Sequence, residues 1–135
     1  MTEQPVYTPP AYTPPAVPGK VQAIAIITLV SGILNILYGI GFTLLGGTSF
    51  VVATIGIGLL CIPYFLIPIA LGIFEVIYGA RLMGNPARKF NVQTIAILEI
   101  VAIITGAVPS AVAGILNLVF YSDPQIKNYI DSLPA

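Results

Sequence analysis

The sequence contains no histidine, no tryptophan and one cysteine, and only 7% of its 135 residues are charged. Each scarcity removes a class of chemistry. Without histidine the chain lacks the commonest general base, metal ligand and haem ligand. A single cysteine excludes an intramolecular disulfide and a cysteine-held metal cluster. Five Lys+Arg against five Asp+Glu leave no electrostatic footprint for nucleic acid. Soluble domains carry about 25% charged residues, so there is too little charged surface here to cover a water-soluble globule. What the chain has instead is 57% hydrophobic residues and a mean hydropathy of +0.98. These figures predict an all-α integral membrane protein whose first partner is the lipid bilayer. They offer no catalytic set, cofactor or metal site.

Residues 1–19 differ from the rest. They hold six of the twelve prolines and a perfect duplication, Tyr7-Thr8-Pro9-Pro10-Ala11 then Tyr12-Thr13-Pro14-Pro15-Ala16. Proline lacks the amide donor and clashes with the preceding helical turn, so this tail is expected to be disordered and extended. It does not read as a signal peptide, because no basic region leads directly into an apolar core. Pro9-Pro10-Ala11-Tyr12 matches the Pro-Pro-x-Tyr ligand of WW domains, in which Pro9, Pro10 and Tyr12 dock as preformed polyproline. A tail-mediated adaptor is one reading of it, and a solvated spacer the other.

A transmembrane helical bundle is expected over 20–121. The uncharged stretch 21–45 is long enough to span, at about 1.5 Å per residue. Gly46-Gly47 then reads as a helix stop and Thr48-Ser49 as the next cap. The run 50–83 is too long for one straight span, and Gly56, Gly58, Pro63 and Pro68 mark where it should bend. The spacing predicts a span over about 61–83, with 50–60 as a kinked extension. The last apolar run reads as two short helices, 92–106 and 109–121. Gly106 suits a C-terminal cap and Pro109 a first turn. The rival reading is one helix kinked at Pro109. The hairpin places Lys20, Arg81, Arg88, Lys89 and Lys127 on one side, which favours it and puts both termini in the cytoplasm. Residues 122–135 read as an interfacial C-terminal tail. Asp123-Pro124 opens a short amphipathic helix in which Ile126, Tyr129, Ile130 and Leu133 recur at helical spacing, as in a helix lying on a membrane surface.

One pattern recurs in three segments, Gly32-Ile33-Leu34-Asn35, Gly72-Ile73-Phe74-Glu75 and Gly114-Ile115-Leu116-Asn117, each ending two aliphatics later in an aromatic ring. A second echo sets Val21-Gln22-Ala23-Ile24-Ala25-Ile26 against Val92-Gln93-Thr94-Ile95-Ala96-Ile97. Either internal duplication or the small alphabet of membrane helices accounts for both. Glycine lets a neighbouring backbone approach, and the polar residue three positions on can hydrogen-bond across. Ala102, Gly106, Ser110 and Gly114 extend the packing signal as small residues four apart. Pro109 interrupts that stripe.

Apart from Arg81, which borders the basic loop, Glu75 and Glu99 are the only charges inside the apolar runs, and intramembrane carboxyls mark proton or ion paths. They suggest a minimal proton- or ion-coupled carrier. The structural alternative has them hydrogen-bonded to Asn35, Asn117, Thr105 or Tyr78. Cys61 reads as a small buried apolar residue, and Tyr64, Tyr78 and Tyr121 as interfacial anchors.

A Pro-rich tail, about four hydrophobic helices, a basic mid-chain loop, the closing segment Gly114–Phe120 and the tail Lys127-Asn128-Tyr129 together resemble a loose group of small bacterial membrane proteins. That group has no assigned activity, so the resemblance transfers no site residues. The expectation is a non-enzymatic accessory or scaffolding subunit, forming a homo-oligomer or joining a larger membrane-protein complex, in the plasma (bacterial inner) membrane.

Overall fold

The computed structural model describes residues 17–134, which are mostly helical, with no strand among them. Pro9, Pro10 and Tyr12 lie outside the described residues. The first helix, α1 (Gly19–Gly41), continues without a stop through a π-helical turn, Phe42–Gly47, into α2 (Thr48–Ala53). A tight turn and a 3₁₀ segment, Ile57–Cys61, lead into α3 (Ile62–Met83). After the basic loop come α4 (Val92–Val101) with a 3₁₀ extension, Ala102–Thr105, then α5 (Val108–Tyr121) and α6 (Pro124–Ser132). Two of these apolar stretches, Gly19–Ala53 and Ile57–Met83, are long enough to cross a membrane.

The chain thus forms two hairpins of unequal length. In the first, α1 packs along α3; in the second, α4 packs along α5; α1 also lies against α5. The buried side of α1 is Val21, Ile24, Ala25, Thr28, Ser31, Gly32, Asn35 and Gly39. Steps of three and four put these residues on one stripe of a helix. The echo between 21–26 and 92–97 is matched in burial, because Val21, Ile24 and Ala25 are buried and so are Val92, Ile95 and Ala96.

Gly46-Gly47 does not stop the first helix. Both stay within the π turn, and a Cβ on either would stand 3.4–3.5 Å from the Phe65 ring. These glycines make room for an aromatic cluster, with the rings of Phe42 and Phe65 4.8 Å apart. Thr43 adds a hydrogen bond of 3.0 Å to the Phe65 carbonyl. Tertiary packing overrides a local stop signal here, so residues 50–53 finish the first helix and are not an extension of the second.

The reversal comes eight residues later, at Ile55 (φ 52°) and Gly56 (φ 87°). Ile55 N–H donates to the Val52 carbonyl at 3.2 Å and Gly56 N–H to Val51 at 2.9 Å. That pair of bonds is a Schellman closure, in which the left-handed position is usually glycine. Pro68, expected to bend the second run, sits buried inside an uninterrupted α3.

The second hairpin turns at Gly106 (φ 82°). Its N–H donates to Ile103 at 2.9 Å and that of Ala107 to Ala102 at 3.4 Å. Pro109 falls in the first turn of α5. The run is therefore a hairpin and not one kinked helix.

At the other end, α6 does not present its apolar side outward. Ile126 and Ile130 are buried in one cluster with Val21, Ile24, Leu82, Phe90, Val92 and Ile95. Asp123 caps α6 by accepting from Gln125 N–H at 3.0 Å, and Lys20 reaches Asp123 at 2.6 Å. Lys89 pairs with Asp131 at 3.0 Å. The helix plugs the end of the hairpins where both apolar echoes meet.

Candidate functional site

The stripe on α1 delivers three polar side chains, Thr28, Ser31 and Asn35, into the interior. Each meets a partner from another helix. Asn35 Nδ2 donates to both oxygens of Glu75 on α3, at 2.9 and 3.0 Å. The Ser31 hydroxyl lies 3.2 Å from that of Ser110 on α5, and it also faces the Glu75 carboxyl. Asn117 Nδ2 on α5 donates to Thr28 Oγ1 at 2.9 Å and to Glu99 Oε2 on α4 at 3.0 Å. Glu75 and Glu99 are 0% exposed. The polar groups form a seam down the middle of the molecule, with aliphatic side chains turned outward.

Each Asn–Glu pair sits beside a close backbone crossing. A Cβ on Gly32 would fall 2.7 Å from the Gly72 carbonyl oxygen, and one on Gly72 would fall 2.6 Å from that of Gly32. In the second hairpin a Cβ on Gly114 would fall 2.6 Å from the Ala96 carbonyl oxygen and 2.9 Å from Glu99 Cβ. Small residues let backbones approach, and the side chain three positions on then reaches across. Both hairpins use this device, Gly32/Gly72 with Asn35/Glu75 and Ala96/Gly114 with Glu99/Asn117.

Sequence reasoning missed a fourth copy of the pattern, Ala96-Ile97-Leu98-Glu99, because alanine stands where the others have glycine. It also missed Thr28 and Ser31. Their signal was present in their spacing of seven and four residues from Asn35. Of the other partners considered for the carboxyls, Thr105 bonds the Ala102 carbonyl at 2.7 Å, and Tyr78 stacks on Phe90 with ring centroids 4.9 Å apart. The small-residue stripe is divided. Ala102 lies in the 3₁₀ extension of α4, Gly106 in the turn, and Ser110 and Gly114 on α5.

Two tyrosines tie the hairpins together at the Gly106 turn. Tyr38 donates to the Thr105 carbonyl at 3.0 Å and Tyr64 to that of Ile104 at 2.8 Å. The last carbonyls of a helix have no partner within it, so the first hairpin caps the second. Tyr64, 40% exposed, makes this clamp from the surface of α3. Cys61, expected to be buried, is exposed at the foot of α3.

Outside the helical core, the Asp123 carboxyl is held below its ordinary range. The largest cause is the hydrogen bond from Lys20, followed by the backbone bond from Gln125. Among the described residues no group of three or more His, Cys, Asp or Glu is placed to hold a metal ion. Compared with protein-family models, with curated proteins and with solved structures, the chain matches none.

Proposed function

We propose that the protein is a non-enzymatic integral membrane subunit that braces or scaffolds a larger membrane assembly, or a homo-oligomer of itself. The distribution of polarity supports the membrane half of this reading. Carboxyls, amides and hydroxyls are spent inside on helix–helix contacts, while Ile26, Ile33, Leu37, Phe74, Ile104 and Val119 face outward. Water would not tolerate that surface, and lipid would. All five basic residues belong to the end carrying α6 and the basic loop, which supports a cytoplasmic orientation for that end.

The unequal hairpins carry the scaffolding half. Stretches of 35 and 27 residues make up the first hairpin, reaching about 50 and 40 Å at the helical rise. The helices of the second, Val92–Thr105 and Val108–Tyr121, reach only about 21 Å, short of a hydrocarbon core of about 30 Å. The far part of the first hairpin therefore stands uncovered, with Ile55 95% and Leu60 84% exposed. An apolar groove of about 360 Å³ lies between α3 and α4, lined by Leu71, Phe74, Leu98 and Val101.

The lone Cys61 lies within this uncovered part and serves as a native probe. The chain is oxidised or treated with a short thiol crosslinker in its own membranes, then sized after mild solubilisation. A Cys61-dependent adduct, either a dimer or one defined larger species lost in Cys61→Ser, fits the proposal. A protein that stays monomeric, uncrosslinked and alone through that procedure would overturn it.

A further inference from the structure

We propose that Glu99 carries a proton on Oε1 that closes an acid–amide ring with Asn117, so that this pair is a proton-binding site joining the two hairpins. Asn117 Nδ2 has two hydrogens, and both are placed, one on Thr28 Oγ1 and one on Glu99 Oε2. Two atoms of the same pair are left without partners, Glu99 Oε1 and Asn117 Oδ1, and both are buried. As a carboxylate and an amide carbonyl, both are acceptors. Two buried acceptors with no donor each cost a lost hydrogen bond. One proton on Oε1 satisfies both, because a carboxylic acid and a primary amide can exchange two hydrogen bonds in a single ring.

The surroundings favour a proton over the alternatives. Glu99 is hydrogen-bonded to Asn117 of α5, which in turn holds Thr28 of α1; neither of these is charged, and the titratable group that acts on Glu99 is Glu75 of α3, another acid. The basic residues belong to the end that α6 closes, where Lys20 and Lys89 are already paired. An ionised Glu99 would be a buried charge with no countercharge, which is the costly arrangement. A metal ion takes more oxygen ligands than the two orphaned here. Glu75 differs, since Asn35 reaches both of its oxygens and leaves no orphaned pair. Because Asn117 also holds Thr28, the proton indirectly fixes the second hairpin on α1.

The test uses the full chain in lipid nanodiscs, with Glu99→Gln and Asn117→Leu as variants. Infrared spectra at neutral pH should show the carbonyl stretch of an un-ionised carboxylic acid. That band should disappear in Glu99→Gln and shift to the position of an unbonded acid in Asn117→Leu. Glutamine supplies an N–H where the acid supplies O–H, so Glu99→Gln should fold and melt as the wild type does. Its stability should also be flat in pH. The wild type, holding one proton more when folded than when unfolded, should lose up to about tenfold in its folding constant per unit of rising pH. Spectra that leave the acid band unchanged in Glu99→Gln would overturn the proposal. So would failure of Glu99→Gln to fold, since its amide makes the same ring.

Discussion

Tyr38 donates its hydroxyl hydrogen to the Thr105 carbonyl across 3.0 Å, joining the middle of the first helix to the turn of the shorter hairpin. Tyr64 makes the matching bond one residue earlier, to Ile104. Among the described residues no other group fills those acceptors, so two hydroxyls from the neighbouring hairpin help to hold the turn, beside the packing of Ala102 and Ala107 on Leu71. Tyr38→Phe should keep the ring contact with Phe42 and lose only the bond. It is expected to cost about 1 kcal/mol, read as a lower melting temperature in detergent. The double variant with Tyr64→Phe should also speed amide exchange at Gly106 and Ala107. Unchanged exchange in the double variant would show that the hydroxyls do not hold the turn.

Gly32 and Gly41 lie on the same helix with opposite expectations. A Cβ at Gly32 meets backbone atoms of α3 at 2.7 and 2.8 Å, whereas a Cβ at Gly41 meets nothing within 4 Å. Gly32→Ala must push two helices apart and pull Asn35 off Glu75. Overpacking of this kind costs about 1–3 kcal/mol. Gly41→Ala instead removes backbone freedom from the unfolded chain and should stabilise by about 0.5–1 kcal/mol. Thermal unfolding of the two variants side by side checks the sign of each.

Ile55 occupies the left-handed position of a Schellman turn and is 95% exposed. A β-branched side chain there crowds the following carbonyl, at a cost of about 1–2 kcal/mol, and the exposed side chain recovers little by packing. Ile55→Gly should therefore raise stability by about 1 kcal/mol, after allowing for the flexibility that glycine adds to the unfolded chain. If thermal unfolding shows Ile55→Gly to be destabilised, the side chain has a contact that outweighs the strain.

These positions also mark where the sequence was legible. The Gly106 turn could be read because glycine stands at the left-handed position that a helix end favours. The Ile55 turn could not, since its glycine comes one residue late and the residue doing that work is isoleucine. Gly46-Gly47 misled for a related reason: glycine signals both a chain reversal and a close approach, and only the ring of Phe65 decides which. The apolar face of α6 was visible in the spacing of Ile126 and Ile130, but spacing does not say what covers it. A lipid surface and the end of two hairpins ask for the same pattern. Within the polar seam, glycine three residues before an amide or carboxyl announced three helices, and alanine at position 96 hid the fourth. The orphaned pair of acceptors on Glu99 and Asn117 depends on which amide hydrogen goes where, and no sequence pattern encodes that.

The seating of α6 should depend on pH through Asp123. Its carboxyl accepts from Lys20 and from the Gln125 amide, and both interactions favour the charged form. A carboxyl held low in the folded state contributes stability that is fully present above the ordinary aspartate value of about 3.9. That contribution fades as pH falls through the lower folded value. Acidification into that range should loosen α6 first, because it protonates the cap and breaks the Lys20 contact in one step. Ile126 and Ile130 would then leave the cluster that they share with Val21 and Leu82. Amide exchange along Pro124–Ser132, followed from neutral pH downward, should rise in the wild type before exchange rises in α1 or α3. In Asp123→Asn, which keeps the capping oxygen and drops the charge, protection of α6 should begin lower and vary less with pH. If α6 exchanges at one rate across the range in the wild type, the docking of this helix is carried by its two isoleucines alone.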